Sequence, residues 1–206
     1  MGHKFAELAF TDAVKAVQTE LGSRKGYARR EGGDVDFNHR LGPLEAAFIA
    51  ERDSFYMATV SETGWPYVQH RGGPKGFLRV LNQTTLGFAD FAGNRQYVSV
   101  GNLANDDRVS LFLMDYPNRT RVKLLGRARL VGAENQDVIT KLTHPPYRAR
   151  VERAFLITVE AFDWNCPQHI TPRFTPDEVE TTVAPLKTRI AELEARLSDL
   201  PLANPA

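Results

Sequence analysis

The chain has 206 residues, enough for one well-buried core or at most two small domains, and its 42% hydrophobic share is that of an ordinary globular protein rather than a disordered one. Lys and Arg total 26 against 25 Asp and Glu, so the net charge of +1 offers no footprint for wholesale nucleic-acid or anionic-membrane binding, and any anion site must be local. The single cysteine, Cys166, excludes an intrachain disulfide and a Cys-pair zinc site.

The N-terminal stretch "MGHKFAELAFTDAVKAVQTELGSRKG" is broken by charges every few residues, which fits neither a signal peptide nor a spanning segment, and the chain reads as cytoplasmic. Within it, "TDAVKAVQTEL" places Ala13, Val14, Ala16, Val17 and Leu21 on one helical stripe, with Thr11 or Asp12 as N-cap and Gly22 just past the end. The following Gly-rich loop gathers Arg24, Lys25, Arg29 and Arg30, a set that either meets a phosphate or is simply solvated, the commoner fate of such a run. A second helix is expected over "GPLEAAFIAER", with Pro43 in its first turn and Leu44, Ala47 and Phe48 on its apolar face.

From Ser54 the period changes to two. "FYMATVSETGWPYVQH" alternates and turns at Glu62-Thr63-Gly64, and "GFLRVLNQTTLGFADF" does the same with a turn near Asn82 to Thr84. "RVSLFLMDY", "RVKLLGRARLVG" and "RAFLITVEAF" supply three more runs, giving six or seven strands, with one helix interposed at "QDVITKLT". The connections are mostly too short for parallel crossovers, so the sheet is expected to be antiparallel and to close into a barrel. One domain over 1–206 follows: a helical segment at 1–53, the barrel at 54–175 and a long amphipathic helix at 176–200. In that last helix Leu186, Ile190, Leu193, Leu197 and Leu200 recur at intervals of four and three, a seam that packs either on its own barrel or on a second subunit. The tripeptides at Asn82 and Asn118 that match a glycosylation pattern read as chance.

No glycine-rich nucleotide motif and no metal-binding spacing occurs, since His3, His39, His70, His144 and His169 are scattered, and no catalytic metal is expected. What remains is four polar clusters at strand ends: "QHRGGPKG", "GNRQY", "YPNRTRVK" and "WNCPQHITPR". If these ends converge on one rim, Arg71, Arg95, Arg121 and Lys123 coordinate a phosphate; otherwise they are solvated and protect strand edges.

The block "FADFAGNRQYVSVGNLANDDRVSLFLMD" resembles the centre of the pyridoxamine 5'-phosphate oxidase-like family of FMN-binding split barrels, and the likeness runs from about Glu45 to Arg173. It also resembles a subgroup marked by "HRGGPKGFLRVL" and "DYPNRTRVKLLGRARL". The resemblance implies a Greek-key split barrel that binds FMN between the subunits of a homodimer, with no nucleic acid or membrane as partner. It implies that Asn94, Arg95 and Gln96 hold the FMN phosphate, that Asp90 and Phe91 lie beside the ribityl chain or ring, and that Arg71, Gly72 and Gly73 run along the isoalloxazine. Arg121 takes the position of a donor from the neighbouring subunit, with Lys123 on the same strand, Trp164 matches an aromatic that abuts the flavin, and Arg173 matches a basic residue after it.

The chain departs from true pyridoxamine phosphate oxidases after Trp164, where "WNCPQHITPRF" lacks their substrate-binding Arg-x-His. The expected function is therefore that of an FMN-dependent oxidoreductase on a different small substrate, with no catalytic side chain assignable. The alternatives are a non-catalytic flavin reservoir or sensor, or a relative that binds deazaflavin or haem. His169 either faces the flavin or is structural at the barrel mouth, and Cys166 reads as packing rather than as a thiol at the cofactor.

Overall fold

A computed structural model describes residues 2–32, 36–145, 147–164 and 167–198. The N-terminal segment consists of short pieces: β1 (Gly2–His3), α1 (Lys4–Ala9), α2 (Asp12–Glu20), α3 (Arg24–Ala28), β2 (Asp36–Phe37) and α4 (Pro43–Ala50), with β1 and β2 paired in parallel. The α2 ends follow the local chemistry, since the Thr11 hydroxyl accepts from the Val14 N–H and Gly22 leaves the helix at φ +75°. Its apolar stripe does not face the core, however. Leu21 is 76% exposed and Val17 52%, while Gln18 is buried because its side-chain oxygen accepts from the Arg24 guanidinium at 3.1 Å.

The face expected of α4 holds at Phe48, which packs against the core, and is corrected elsewhere. Leu44 is 67% exposed, and the buried pair is Glu45 and Ile49. A carboxylate can sit inward here because one Glu45 oxygen accepts from the Gly42 N–H at 2.9 Å and the other from the indole of Trp164 at 2.8 Å. The indole and the Phe48 ring meet edge to face at 4.9 Å.

Alternation in the remaining sequence builds β3 (Ser54–Val60), β4 (Pro66–Gly72), β5 (Arg79–Asn82), β6 (Thr85–Phe91), β7 (Arg108–Asp115), β8 (Thr120–Gly132) and β9 (Val151–Trp164). Between them lie α5 (Val98–Asn102) and α6 (Gln136–Leu142), and α7 (Pro176–Ser198) follows. The protein is thus mainly β, with a seven-stranded sheet in the order β4-β3-β7-β8-β9-β6-β5, every pair antiparallel. The ladder is not closed: β4 and β5 are its two edges. The barrel is therefore split, and a side-chain ion pair links β4 to β6 where backbone pairing stops.

Inward-facing Phe55, Phe77, Phe88 and Phe155 form the centre of the core, with Phe88 and Phe155 stacked at 4.7 Å. The outer face of β6 is covered as well, because α6 packs Leu142 against Ala89, Ala154 and Leu156. That double coverage explains the run of buried residues from Leu86 to Asp90, where simple alternation would leave every second one exposed.

Candidate functional site

The split between β4 and β6 is bridged by charge. From β4, Arg71 Nη1 donates to Asp90 Oδ1 on β6 at 2.7 Å, and Arg153 on β9 places its Nε 3.3 Å from the other Asp90 oxygen. The three side chains are largely buried, at 12%, 11% and 21% exposure. Arg71 lies over the rings of Phe155 and Phe88, its guanidinium carbon 4.9 and 5.7 Å from their centroids. Burial is the main influence on both partners, pushing the Arg71 pKa down and the Asp90 carboxyl up, while their mutual attraction opposes each shift.

A bulge between Asp90 and Phe91 inserts Glu152 as an extra residue on β9, which aims it at the turn that follows β6. There Glu152 accepts from Arg153 and Arg150 at 3.0 Å each and from the Tyr97 hydroxyl at 3.3 Å, and the Tyr97 oxygen in turn accepts from Arg95 Nε at 3.2 Å. The guanidinium groups of Arg71, Arg95, Arg150 and Arg153 outnumber the carboxylates of Asp90 and Glu152, so the electrostatic balance favours an added anion.

The turn itself is strained. Arg95 and Tyr97 both take left-handed backbone conformations, φ +60° and +55°, which cost about 1–2 kcal/mol each in residues with a side chain. The Asn94 side-chain oxygen accepts from the Gln96 N–H at 3.2 Å, and α5 anchors the far end, with Ser99 donating to Gln69 and Asn102 to Thr59, both at 2.9 Å. Asn94, Arg95 and Gln96 remain exposed on this anchored loop. The result is a cleft of roughly 210 Å³ lined by Arg71, Asp90, Phe91, Asn94, Arg95 and Tyr97, continuing into a groove along β4 lined by Gln69, His70 and Gly72.

The structure therefore brings together Arg71, Asp90, Phe91, Asn94 and Arg95, with Gln96 beside them on the turn and Gly72 on the adjoining groove. Gly73 serves the core instead, since a Cβ there would lie 2.7 Å from the Phe77 ring and only glycine lets that ring pack inward. The other expected residues lie elsewhere on this chain. Arg121 and Lys123 alternate on β8 with the inward-facing Val122 and Leu124, Arg121 near the Phe112 ring and Lys123 paired with Asp163 at 3.3 Å. Lys123 and Trp164 line a second cleft with Phe5, Phe10 and Tyr27 of the N-terminal segment. Arg173 covers the Tyr116 ring at 4.8 Å, and His169 is exposed at φ +62°. Cys166 lies outside the described residues.

Tyr97, Glu152 and Arg153 are absent from the set expected on sequence grounds. Tyr97 adjoins the motif. The other two are legible only through the β6–β9 register, which sets Asp90 opposite Arg153. Among the described residues no cluster of metal-ligating side chains occurs, and no helix is long and apolar enough to cross a membrane.

Residues 43–170, more than half of the chain, match the family model described as pyridoxamine 5'-phosphate oxidase. No curated protein matches the chain. Among solved structures it is similar to HupZ of Group A Streptococcus, at 14% identity over 65% of this chain and 100% of that one, with a TM-score of 0.48. It is similar to General Stress Protein 26 from Bacillus anthracis, at 13% identity over 63% and 94% of the two chains, with a TM-score of 0.44. HutZ, the heme storage protein from Vibrio cholerae, is 19% identical over 60% and 94%, with a TM-score of 0.44. At such identities and TM-scores these likenesses carry no argument about ligand or reaction.

Proposed function

Because the chain belongs to the pyridoxamine 5'-phosphate oxidase family, we propose that the cleft at the barrel split holds the phosphate of FMN and that the protein is an FMN-dependent oxidoreductase acting on a small substrate. The observation that carries this reading is the exposed, conformationally strained turn of Asn94, Arg95 and Tyr97 set beside the buried Arg71. The donor set fits a phosphate monoester. Arg95 offers a guanidinium fork, Asn94 an amide, Tyr97 a hydroxyl, and the buried Nε of Arg71 has no hydrogen-bond partner among the described residues.

In this reading the phosphate competes with Glu152 for Tyr97 and for the arginines that now hold its carboxylate. Arg71, fixed from below by Phe155 and on its flank by Asp90, keeps the β4 end of the groove positively charged. Phe91 and the Gly72 backbone would border the remainder of the cofactor. When bound, FMN supplies hydride or single-electron exchange through its ring, which accounts for a site without a visible acid–base pair.

A homodimer belongs to this reading. Arg121, Lys123, Trp164 and Arg173 lie away from the cleft on the same chain, and a second copy would have to bring them to the flavin. Mixing the purified protein with FMN and removing free ligand tests the reading: a retained flavin absorption band supports it, and colourless protein overturns it. Reducing the bound flavin anaerobically and adding oxygen or a quinone then separates an oxidoreductase, which turns over, from an inert flavin reservoir.

A further inference from the structure

The C-terminal helix α7 is 23 residues long, and none of its described residues is buried. It is well begun: the Thr175 hydroxyl accepts from the Glu178 N–H and the Glu178 carboxylate accepts from the Thr175 N–H, with Pro176 in the first turn. Among the described residues, none of its side chains belongs to the hydrophobic core. Most of a helix's stability in a protein comes from packing its apolar face, and Pro185 removes one of the internal hydrogen bonds of α7.

Its apolar residues repeat every 3.5 positions. Val179, Val183, Leu186, Ile190, Leu193 and Leu197 alternate spacings of four and three over about 27 Å of helix. Leu186, Ile190 and Leu197 are more than half exposed, at 59%, 55% and 66%. In heptad terms the a positions are Val183, Ile190 and Leu197 and the d positions are Val179, Leu186 and Leu193. Two of the three a residues are β-branched and two of the three d residues are leucine, the combination that favours a parallel, two-stranded pair. The flanking charges agree: Arg189 is a g residue and Glu194 the e residue of the following heptad, so a parallel, in-register copy sets Arg189 against Glu194 on both sides of the seam. An antiparallel pairing would instead juxtapose the g arginines, Arg189 and Arg196. Pro185 falls at a c position, away from the seam, where its ring does not obstruct a partner.

We propose that α7 pairs in parallel with α7 of a second copy of this chain as a short coiled coil. The pairing does not rest on the flavin reading. Three heptads are few, so the helix acts as one of two linked contacts, its effective concentration raised by any other interface between the copies. A different occupant of the seam is the exposed apolar stripe of α2, and the experiment distinguishes the two.

Single cysteines are placed in a Cys166→Ser background and treated with a short-spacer bismaleimide, followed by denaturing electrophoresis. Val179→Cys and Leu193→Cys are each expected to yield a covalent homodimer, and Thr188→Cys, at an outward f position, to stay monomeric. Any other pattern overturns the coiled coil: no dimer at Val179 or Leu193 points to α2 or to no partner, linkage at only one of them to an antiparallel arrangement, and linkage at all three to random collision. FMN titration of the same variants reports separately on the barrel cleft, so failure of one reading leaves the other standing. All three substitutions are at exposed or half-exposed positions of a helix without core contacts, so loss of fold does not confuse the result.

Discussion

Asp90 is the only described carboxylate within ion-pair distance of Arg71, and its removal is expected to do more than delete one bond. At an effective dielectric of about 20, the 2.7 Å contact to Arg71 corresponds to about 6 kcal/mol of attraction and the 3.3 Å contact to Arg153 to about 5 kcal/mol. Desolvation outweighs this attraction, as the downward shift of Arg71 and the upward shift of Asp90 show. Asp90→Ala keeps the cost of the buried arginines and loses the compensation, for a net destabilisation of about 3 kcal/mol. With a urea dependence of about 2 kcal/mol per molar, the unfolding midpoint falls by about 1.5 M. The double variant Arg71→Met, Asp90→Leu removes the closer charge pair and leaves Arg153 held by Glu152 alone, so it is expected to recover part of the loss without recovering anion binding. A midpoint for Asp90→Ala within experimental scatter of the parent would refute the idea that this pair holds β4 against β6.

Trp164→Phe keeps the edge contact with Phe48 but takes the indole donor from a largely buried Glu45; a loss of about 2 kcal/mol in urea unfolding is expected, and no loss would show that water replaces the indole. Asp106 is held down to about 2 by hydrogen bonds from the Arg108 side chain and backbone, against an ordinary value of 3.8. A depressed carboxyl stabilises the fold above its unfolded value and loses that contribution as pH falls from 3.8 towards 2, so the difference in melting temperature between the parent and Asp106→Asn should shrink over that window. Asp90 works in the opposite sense: its raised value means that the fold loses stability as pH rises from the unfolded to the folded value, and Asp90→Asn should flatten that slope in the same melting series.

The strands were legible because each buries one face on a common core: Phe55, Met57 and Thr59 point inward as a period of two requires, and both hairpin turns fall where the polar residues cluster. Helix faces were not. In α2 the buried residue is Gln18 and in α4 Glu45 is buried beside Ile49, both polar side chains satisfying specific hydrogen-bond partners, while Leu21 and Leu44 face out; a hydrophobic stripe says which face wants burial, not which face this chain can bury. The turn from Gly93 to Tyr97 was legible as a polar loop with local hydrogen-bonding groups. Its counterparts Glu152 and Arg153 were not, because a bulge and a long-range register place them there. Arg121, Lys123, Trp164 and Arg173 belong to other parts of this chain's surface, and no sequence spacing says which copy of a chain a side chain will serve.

Whether the turn after β6 grips a phosphate is decided by comparing FMN with riboflavin, which lacks only that group, through quenching of flavin fluorescence on wild-type protein, Arg95→Ala and Arg29→Ala. Wild type and Arg29→Ala should prefer FMN by roughly tenfold or more, as expected for a phosphate held by charge-assisted hydrogen bonds, and Arg95→Ala should lose most of that preference while binding riboflavin unchanged. Equal affinities for the two flavins in wild type, or a preference that survives in Arg95→Ala, would mean that this turn does not hold the phosphate.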